Sequence, residues 1–284
     1  MQGRNLKKSI LTVVEIILVF LAIIYFLIPL WWLIISSFKP IPEVYKGNPF
    51  MPTLNPSFEI FETLLIKTEG GLWLSNSVLY SAIAAIIASL SSLAAGYSFS
   101  KFNFRGRSFL YSIVAFSLTL PVIIVAVPTF ILIKSIGWLD SIQGFVIPLS
   151  FSSFGVFLMK ISVDSNVSDE LLDAARIDGA SEARIFFSIV LRLCIPTVLT
   201  LFVIHFIQTW NNLIYGLLIL YTKERFILPQ GMDINLYFGS RELAQSLSIL
   251  IGGASATVLL MMALFLSLEK RIEESFQAGY GIKG

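Results

Sequence analysis

Asp164-Ser-Asn-Val-Ser-Asp-Glu-Leu-Leu-Asp-Ala-Ala-Arg-Ile-Asp-Gly-Ala-Ser-Glu-Ala-Arg184 is a charged stretch set between two apolar ones. Six acids (Asp164, Asp169, Glu170, Asp173, Asp178, Glu182) and two arginines (Arg176, Arg184) crowd into its 21 residues, in a chain that is 13% charged overall. The local chemistry predicts two short helices with a tight break. Ser168 is placed to cap the first, and Asp169 and Glu170 complement its N-terminal dipole. Leu171, Leu172, Ala174, Ala175 and Ile177 give that helix a small, low-profile apolar face. Gly179 stands where a helix ends, because glycine takes a left-handed C-cap without steric cost. Ser181 caps a second helix, which rises through Ile185, Phe186, Phe187 and Ile189 toward Pro196. The product is a knob, a short amphipathic helix held at an angle by a glycine elbow. An ordinary capped surface loop would show the same periodicity.

What flanks the knob belongs in lipid. Of 284 residues, 56% are hydrophobic and the mean hydropathy is +0.83, which excludes an ordinary soluble protein. Length alone allows one or two domains. A formal charge of +2 argues against a nucleic-acid partner. The single cysteine, Cys194, rules out an internal disulfide and reads as packing, and the single histidine, His205, argues against a histidine-based metal or proton-relay site.

Six apolar runs are predicted to span, at about residues 10–37, 74–98, 109–133, 142–161, 193–221 and 246–268. Each is near the ~20 residues that cross a bilayer. Backbone polar groups must be satisfied internally there, so the runs are helices. The first follows the basic residues Arg4, Lys7 and Lys8 and is too long for a cleaved signal peptide. With the N-terminus in the cytoplasm, inside segments carry 13 Lys and Arg and outside segments 7, counted on those six runs. That satisfies the positive-inside bias and puts both termini and the 164–184 loop in the cytoplasm. The expected division is residues 1–72 (first span and external strap), 73–268 (a core of five spans carrying the loop) and 269–284 (cytoplasmic tail).

Between the first two spans, Pro40, Pro42, Pro49, Pro52 and Pro56 predict an extended, ordered strap rather than regular helix. Trp73 is expected at interfacial depth. Along the second span Ala84, Ala88, Ser92, Gly96 and Ser100 recur every four residues, a ridge that lets another helix approach closely. Pro121 and Pro128 in the third run, and Gly144 and Pro148 in the fourth, mark either simple kinks or carbonyls turned toward a cavity. Gly252, Gly253 and Ala256 make a second close-packing face.

Asp173-Ala174-Ala175, then Gly179, Ile189 and Leu191, resemble the EAA loop of the permeases of ATP-binding-cassette (ABC) importers. The wording Asp-Ala-Ala-Arg-Ile-Asp-Gly-Ala-Ser is most similar to the sugar-importing, maltose-permease-like branch. Asp173 replaces the usual glutamate, and Arg192 stands where a proline is expected, although Pro196 supplies a second expected one. The Ser37-Phe-Lys-Pro40 segment, the basic turn Lys101–Arg107 and the ending Gln277–Gly284 also resemble that family, the last with one extra residue before its lysine.

The resemblance implies an all-α polytopic fold with six transmembrane helices, the type I ABC importer permease fold. It implies that the loop docks on an ATPase subunit through Glu170, Leu171, Asp173, Ala174, Ala175, Arg176, Asp178, Gly179 and Ala180. In the fifth run, Gln208, Trp210, Asn211 and Asn212 lie at membrane depth, where polar groups face a cavity or a neighbouring helix. Amides suit sugar hydroxyls and an indole can stack on a pyranose, and the resemblance implies that the four line the translocation path. The loop 222–243 would reach toward a sugar-binding protein. No G-x-x-x-x-G-K-[ST] loop occurs. The chain is therefore expected to be non-catalytic, with no cofactor of its own. ATP and Mg would sit on two partner ATPase subunits, and a second homologous permease, an extracellular binding protein and membrane lipid would complete the assembly. A secondary transporter or channel is the reading from another class. It would require ionisable groups within the spans, which contain almost none; Glu15 lies near the cytoplasmic end of the first. A non-sugar solute is the other alternative.

Overall fold

The computed structural model describes residues 2–237 and 243–280. Among the described residues every regular element is helical. In chain order these are α1 (Gln2–Ser37), α2 (Ile41–Lys46), α3 (Glu59–Leu65), α4 (Gly70–Lys101), α5 (Arg107–Ser117), α6 (Val122–Ser135), α7 (Ile142–Leu149), α8 (Ser153–Asn166), α9 (Asp169–Ile177), α10 (Glu182–Ile185), a π-helical turn (Phe186–Val190), α11 (Leu191–Leu193), α12 (Ile195–Trp210), α13 (Leu213–Ile219), a 3₁₀ turn (Lys223–Arg225), α14 (Leu228–Tyr237) and α15 (Leu243–Tyr280). The expected ending at residues 277–284 runs past Tyr280, and residues 281–284, like 238–242 of the 222–243 loop, lie outside the described residues.

Among the described residues, three of the six apolar runs are single helices long enough to span: Thr12–Ser37 within α1, α4 itself, and Gln245–Lys270 within α15. The other three are bent pairs, α5 with α6 at 109°, α7 with α8 at 43°, and Glu182–Leu193 with α12 at 79°. Proline explains where two of them break. Pro121 immediately precedes α6, and Pro196 sits in the first turn of α12; a proline ring tolerates a helix's first turn and disfavours helical backbone just before it. The fifth run breaks again at Asn211–Asn212.

One compact unit comprises residues 1–68 with 234–258, and the other 69–233 with 259–284. In the first, Leu33 near the end of α1, Ile60 of α3 and Ile251 of α15 form a small core. Residues 12–30 of α1 are exposed on every side, as an apolar helix meant for lipid would be. The strap is partly helical, contrary to the extended form expected: α2 starts behind Pro40 with Pro42 in its first turn, positions where a missing N–H costs nothing, and α3 starts three residues after Pro56.

In the second unit α4 is the axis. Tyr80, Ala84, Ala88, Ser92, Leu93 and Gly96 are all buried along it, where α8 and α12 pack. Contact is closest at two glycines. A Cβ on Gly96 would lie 2.7 Å from the backbone nitrogen of Lys160, and one on Gly155 of α8 would lie 2.4 Å from Ser92 Oγ. Trp73 is buried: its indole donates to the Lys223 carbonyl (2.9 Å), and its ring packs so tightly on α14 that a Cβ on Gly231 would come within 2.2 Å of it.

Gly96→Ala should therefore force the α4 and α8 backbones apart and cost about 1–3 kcal/mol through overpacking, whereas Ala94→Leu on the exposed side of α4 should be tolerated. Thermal unfolding of the two variants in detergent checks this.

Candidate functional site

The loop between α8 and α10 folds as its residues dictate. Ser168 Oγ accepts from Leu171 N at 3.3 Å and opens α9; Ser181 Oγ accepts from Arg184 N at 3.3 Å and opens α10. Between them the chain makes a Schellman turn. Gly179 N–H donates to the Arg176 carbonyl (3.0 Å) and Ala180 N–H to the Ala175 carbonyl (3.0 Å), with Gly179 at φ +79°. Nothing lies within 4 Å of where a Gly179 Cβ would be, so glycine is needed there for its backbone alone.

α9 has two unlike faces. Leu172 is buried in a cluster with Leu93 and Tyr97 of α4, Met159 and Val163 of α8, Val167, Ile185 and Cys194. The opposite face is bare. Glu170, Asp173, Ala174, Asp178 and Gly179 are exposed, and so are Leu171 (42%) and Ile177 (86%). Of the docking residues expected from sequence, Ala175 and Ala180 are half-buried against the cluster, so the structure divides that set between an outward and an inward side.

Charges fasten the loop. Arg176 Nη1 donates to Asp173 (3.0 Å) and its Nε to Glu182 (2.8 Å), and Glu182 also accepts from the Tyr97 hydroxyl (3.0 Å). The Glu182 carboxylate first, and Asp173 behind it, push the Arg176 guanidinium above its already high range, so it stays charged. At the other end of α9, Lys101 Nζ donates to Asp169 (2.7 Å). Lys160 and Ser100 bond Asp164 on the last turn of α8, a contact that does not involve α9. Sequence reading missed the role of Tyr97, which lies in an apolar span, and took Lys101 only as part of a basic turn; both stand far from the loop in sequence.

The four polar residues of the fifth run do not share one environment. Gln208 and Asn211 are exposed, and Asn211 Nδ2 bonds the Ile207 carbonyl (3.0 Å). Trp210 is fully buried and stacks on Phe206, with ring centroids 6.0 Å apart. Asn212 is half-buried and caps α13, accepting from Tyr215 N at 3.2 Å. The break in the run is thus made by Asn212 serving as a cap. His205 is buried and donates from Nε2 to the Leu149 carbonyl. Among the described residues no group of His, Cys, Asp or Glu is arranged to hold a metal.

A second polar node, also missed, joins the α6–α7 turn to the segment after α13. Asp140, at φ +51°, accepts from Tyr221 N (2.9 Å), Thr222 N (3.0 Å), the Thr222 hydroxyl and Arg225 Nη1 (3.0 Å). Partial burial would raise its pKa; the bonds from Thr222 and Tyr221 and the Arg225 guanidinium outweigh that and hold it below the usual carboxylate range.

The family described as binding-protein-dependent transport system inner membrane component matches residues 88–273. An arabinooligosaccharides transport system permease protein of Halalkalibacterium halodurans is 29% identical over 260 residues, covering 90% of this chain and 91% of the relative. A diacetylchitobiose uptake system permease protein of Streptomyces coelicolor is 25% identical and covers 89% and 83%. Among solved structures, a chain of a bacterial ABC transporter involved in alginate import superposes with a TM-score of 0.79 at 20% identity, covering 93% of this chain and 96% of that one, which establishes a common fold.

Because the Asp140 carboxyl is depressed in the folded state, its stabilisation is complete above the usual carboxylate range of about 4 and is lost as pH falls through its folded value. Asp140→Ala should cost about 0.5–1.5 kcal/mol at pH 7, because its exposed donors turn to water once the carboxylate is gone. Lowering the pH from 6 to 3 should shrink the gap in unfolding temperature between wild type and Asp140→Ala.

Proposed function

The chain belongs to the family of binding-protein-dependent transport system inner membrane components, and on that premise we propose that it is the membrane subunit of an ABC importer of oligosaccharides. It is a multi-pass membrane protein and not itself an enzyme. The observation that carries the mechanism is the bare face of α9, where Leu171, Ala174 and Ile177 expose apolar surface among charges on a helix held rigid by its caps. Exposed apolar groups so placed suit a protein partner. In this reading the partner is an ATPase subunit: two of them bind ATP and Mg, a second permease of the same family completes the pore, and an external binding protein delivers the sugar. The Glu170–Ala180 knob then faces the cytoplasm.

ATP draws the ATPases together and displaces the grooves that hold α9. The Schellman turn prevents α9 from hinging on its own loop, so the displacement passes into the bundle. Nucleotide and sugar can shift the balance of inward- and outward-open states only by their differential affinity for the two. Gln208 and Asn211 offer amides to sugar hydroxyls, and Trp210 and Asn212 shape that wall from behind by packing and by ending α12. The sugar class is supported by the relatives, permeases of arabinooligosaccharide and diacetylchitobiose uptake systems.

The test is ATP hydrolysis by the reconstituted complex with its binding protein and, in turn, arabinotriose, diacetylchitobiose and lactose. One of these should stimulate hydrolysis. Ile177→Asp and Gly179→Pro should each reduce the stimulated rate at least about tenfold while leaving the permease folded, the first by placing charge on the docking tip and the second by forbidding φ +79°. Sugar uptake by the chain without any ATPase would transfer it to the secondary-transporter class.

A further inference from the structure

Peptide continuity connects α9 to α8 on one side and α10 on the other, but two polar ties reach a third helix, one directly and one through Glu182 of α10. Tyr97 and Lys101 lie four residues apart on the last turns of α4, hence on one face. Asp169 and Arg176 lie seven apart on α9, two turns along one side. Lys101 holds Asp169 at 2.7 Å, and Tyr97 reaches Arg176 through Glu182, by bonds of 3.0 and 2.8 Å. Between the two ties Leu172 inserts into the cluster that contains Tyr97. A polar cleft of about 310 Å³, lined by Lys101, Arg107, Asp169, Asp173 and Arg176 among others, runs alongside them.

We infer that Tyr97, Lys101 and Glu182 are positioning residues that latch both ends of α9 to one strip of α4, so that α4 is the first spanning helix to move with the coupling loop. A helix tied at one point can pivot. Tied at both ends with an apolar side chain wedged between, it moves only with the surface that holds it. Lys101 is 10% exposed while its partner Asp169 is 77% exposed, so the tie anchors a projecting element to a buried one. α4 packs in turn against α8 and α12, which carries the motion toward Gln208. Asp173, the motif acid that is one methylene shorter than usual, acts within this latch by holding Arg176. The carboxylates of these pairs, Asp169, Asp173 and Glu182, stay open to solvent, which screens the pairs and leaves them little stability to contribute, so the latch sets geometry rather than holding the fold together.

This inference rests on the importer reading. The experiment uses the full complex in proteoliposomes with arabinotriose, diacetylchitobiose and lactose as radiolabelled tracers, and measures sugar accumulated per ATP hydrolysed. Tyr97→Phe/Lys101→Met keeps the apolar packing and removes both ties, and Glu182→Gln removes the charge of one. Lys160→Met breaks a neighbouring ion pair that does not involve α9. The expected result is hydrolysis within about twofold of wild type and uptake per ATP lower by at least about fivefold in the double variant, less in Glu182→Gln, and unchanged in Lys160→Met. Unchanged uptake per ATP in the assembled double variant would overturn the latch, as would an equal fall in Lys160→Met. Loss of the ATPase from the variant complex would assign the ties to assembly and overturn it likewise. A wild-type complex without an ATPase, or without uptake of any of the three sugars, would instead overturn the importer reading beneath it.

Discussion

The second unit depends on how near two helix backbones can come. α4 and α8 meet where Gly96 and Gly155 carry no side chain, and where Ser92 presents only a hydroxyl. In lipid no hydrophobic force distinguishes a helix neighbour from an acyl chain, so close packing of small residues must hold helices together. That approach brings the end of α4 beside the end of α8, and it therefore brings Tyr97 and Lys101 within reach of a loop that follows α8. Without it the charged loop would have no buried surface on which Leu172 could seat, and its ion pairs would span open solvent.

The loop is stiff along its backbone and bare on one face. Its stiffness is local, since two serine caps, a Schellman turn and the Arg176 bonds satisfy backbone and charge within a short span. Its bareness follows from helix geometry: one face of a short helix can be buried against the bundle, and the side carrying Ile177 is then left exposed among the described residues. Breaks in the spanning runs have a comparable logic. A helix ending inside a membrane protein leaves carbonyls and amides to be satisfied, and Asn212 and Ser152 meet part of that need as caps.

Much of this was legible in the residues. Hydropathy located the six runs, the four-residue spacing of Ala84, Ala88, Ser92 and Gly96 marked the helix face that is buried, and Ser168, Gly179 and Ser181 set both helices of the loop and the turn between them. These are local signals, set by backbone conformations open to each residue and by short-range periodicity. Proline was the ambiguous sign. In the strap it suggested extended chain, yet Pro40 and Pro42 begin a helix, because the effect of a proline depends on whether it stands at the start of a helix or within it.

The amino-acid sequence by itself determined that the chain is helical and membrane-bound, and that a capped, charged elbow interrupts it, since composition, period and capping act over a few residues. Only the tertiary structure decided that Trp210 is buried while Gln208 and Asn211 are exposed, that three of the runs are bent, and that α9 is tied to α4. Those outcomes depend on contacts between residues far apart in the chain, such as Tyr97 with Glu182, whose partners are chosen by helix packing and leave no periodic trace in the sequence.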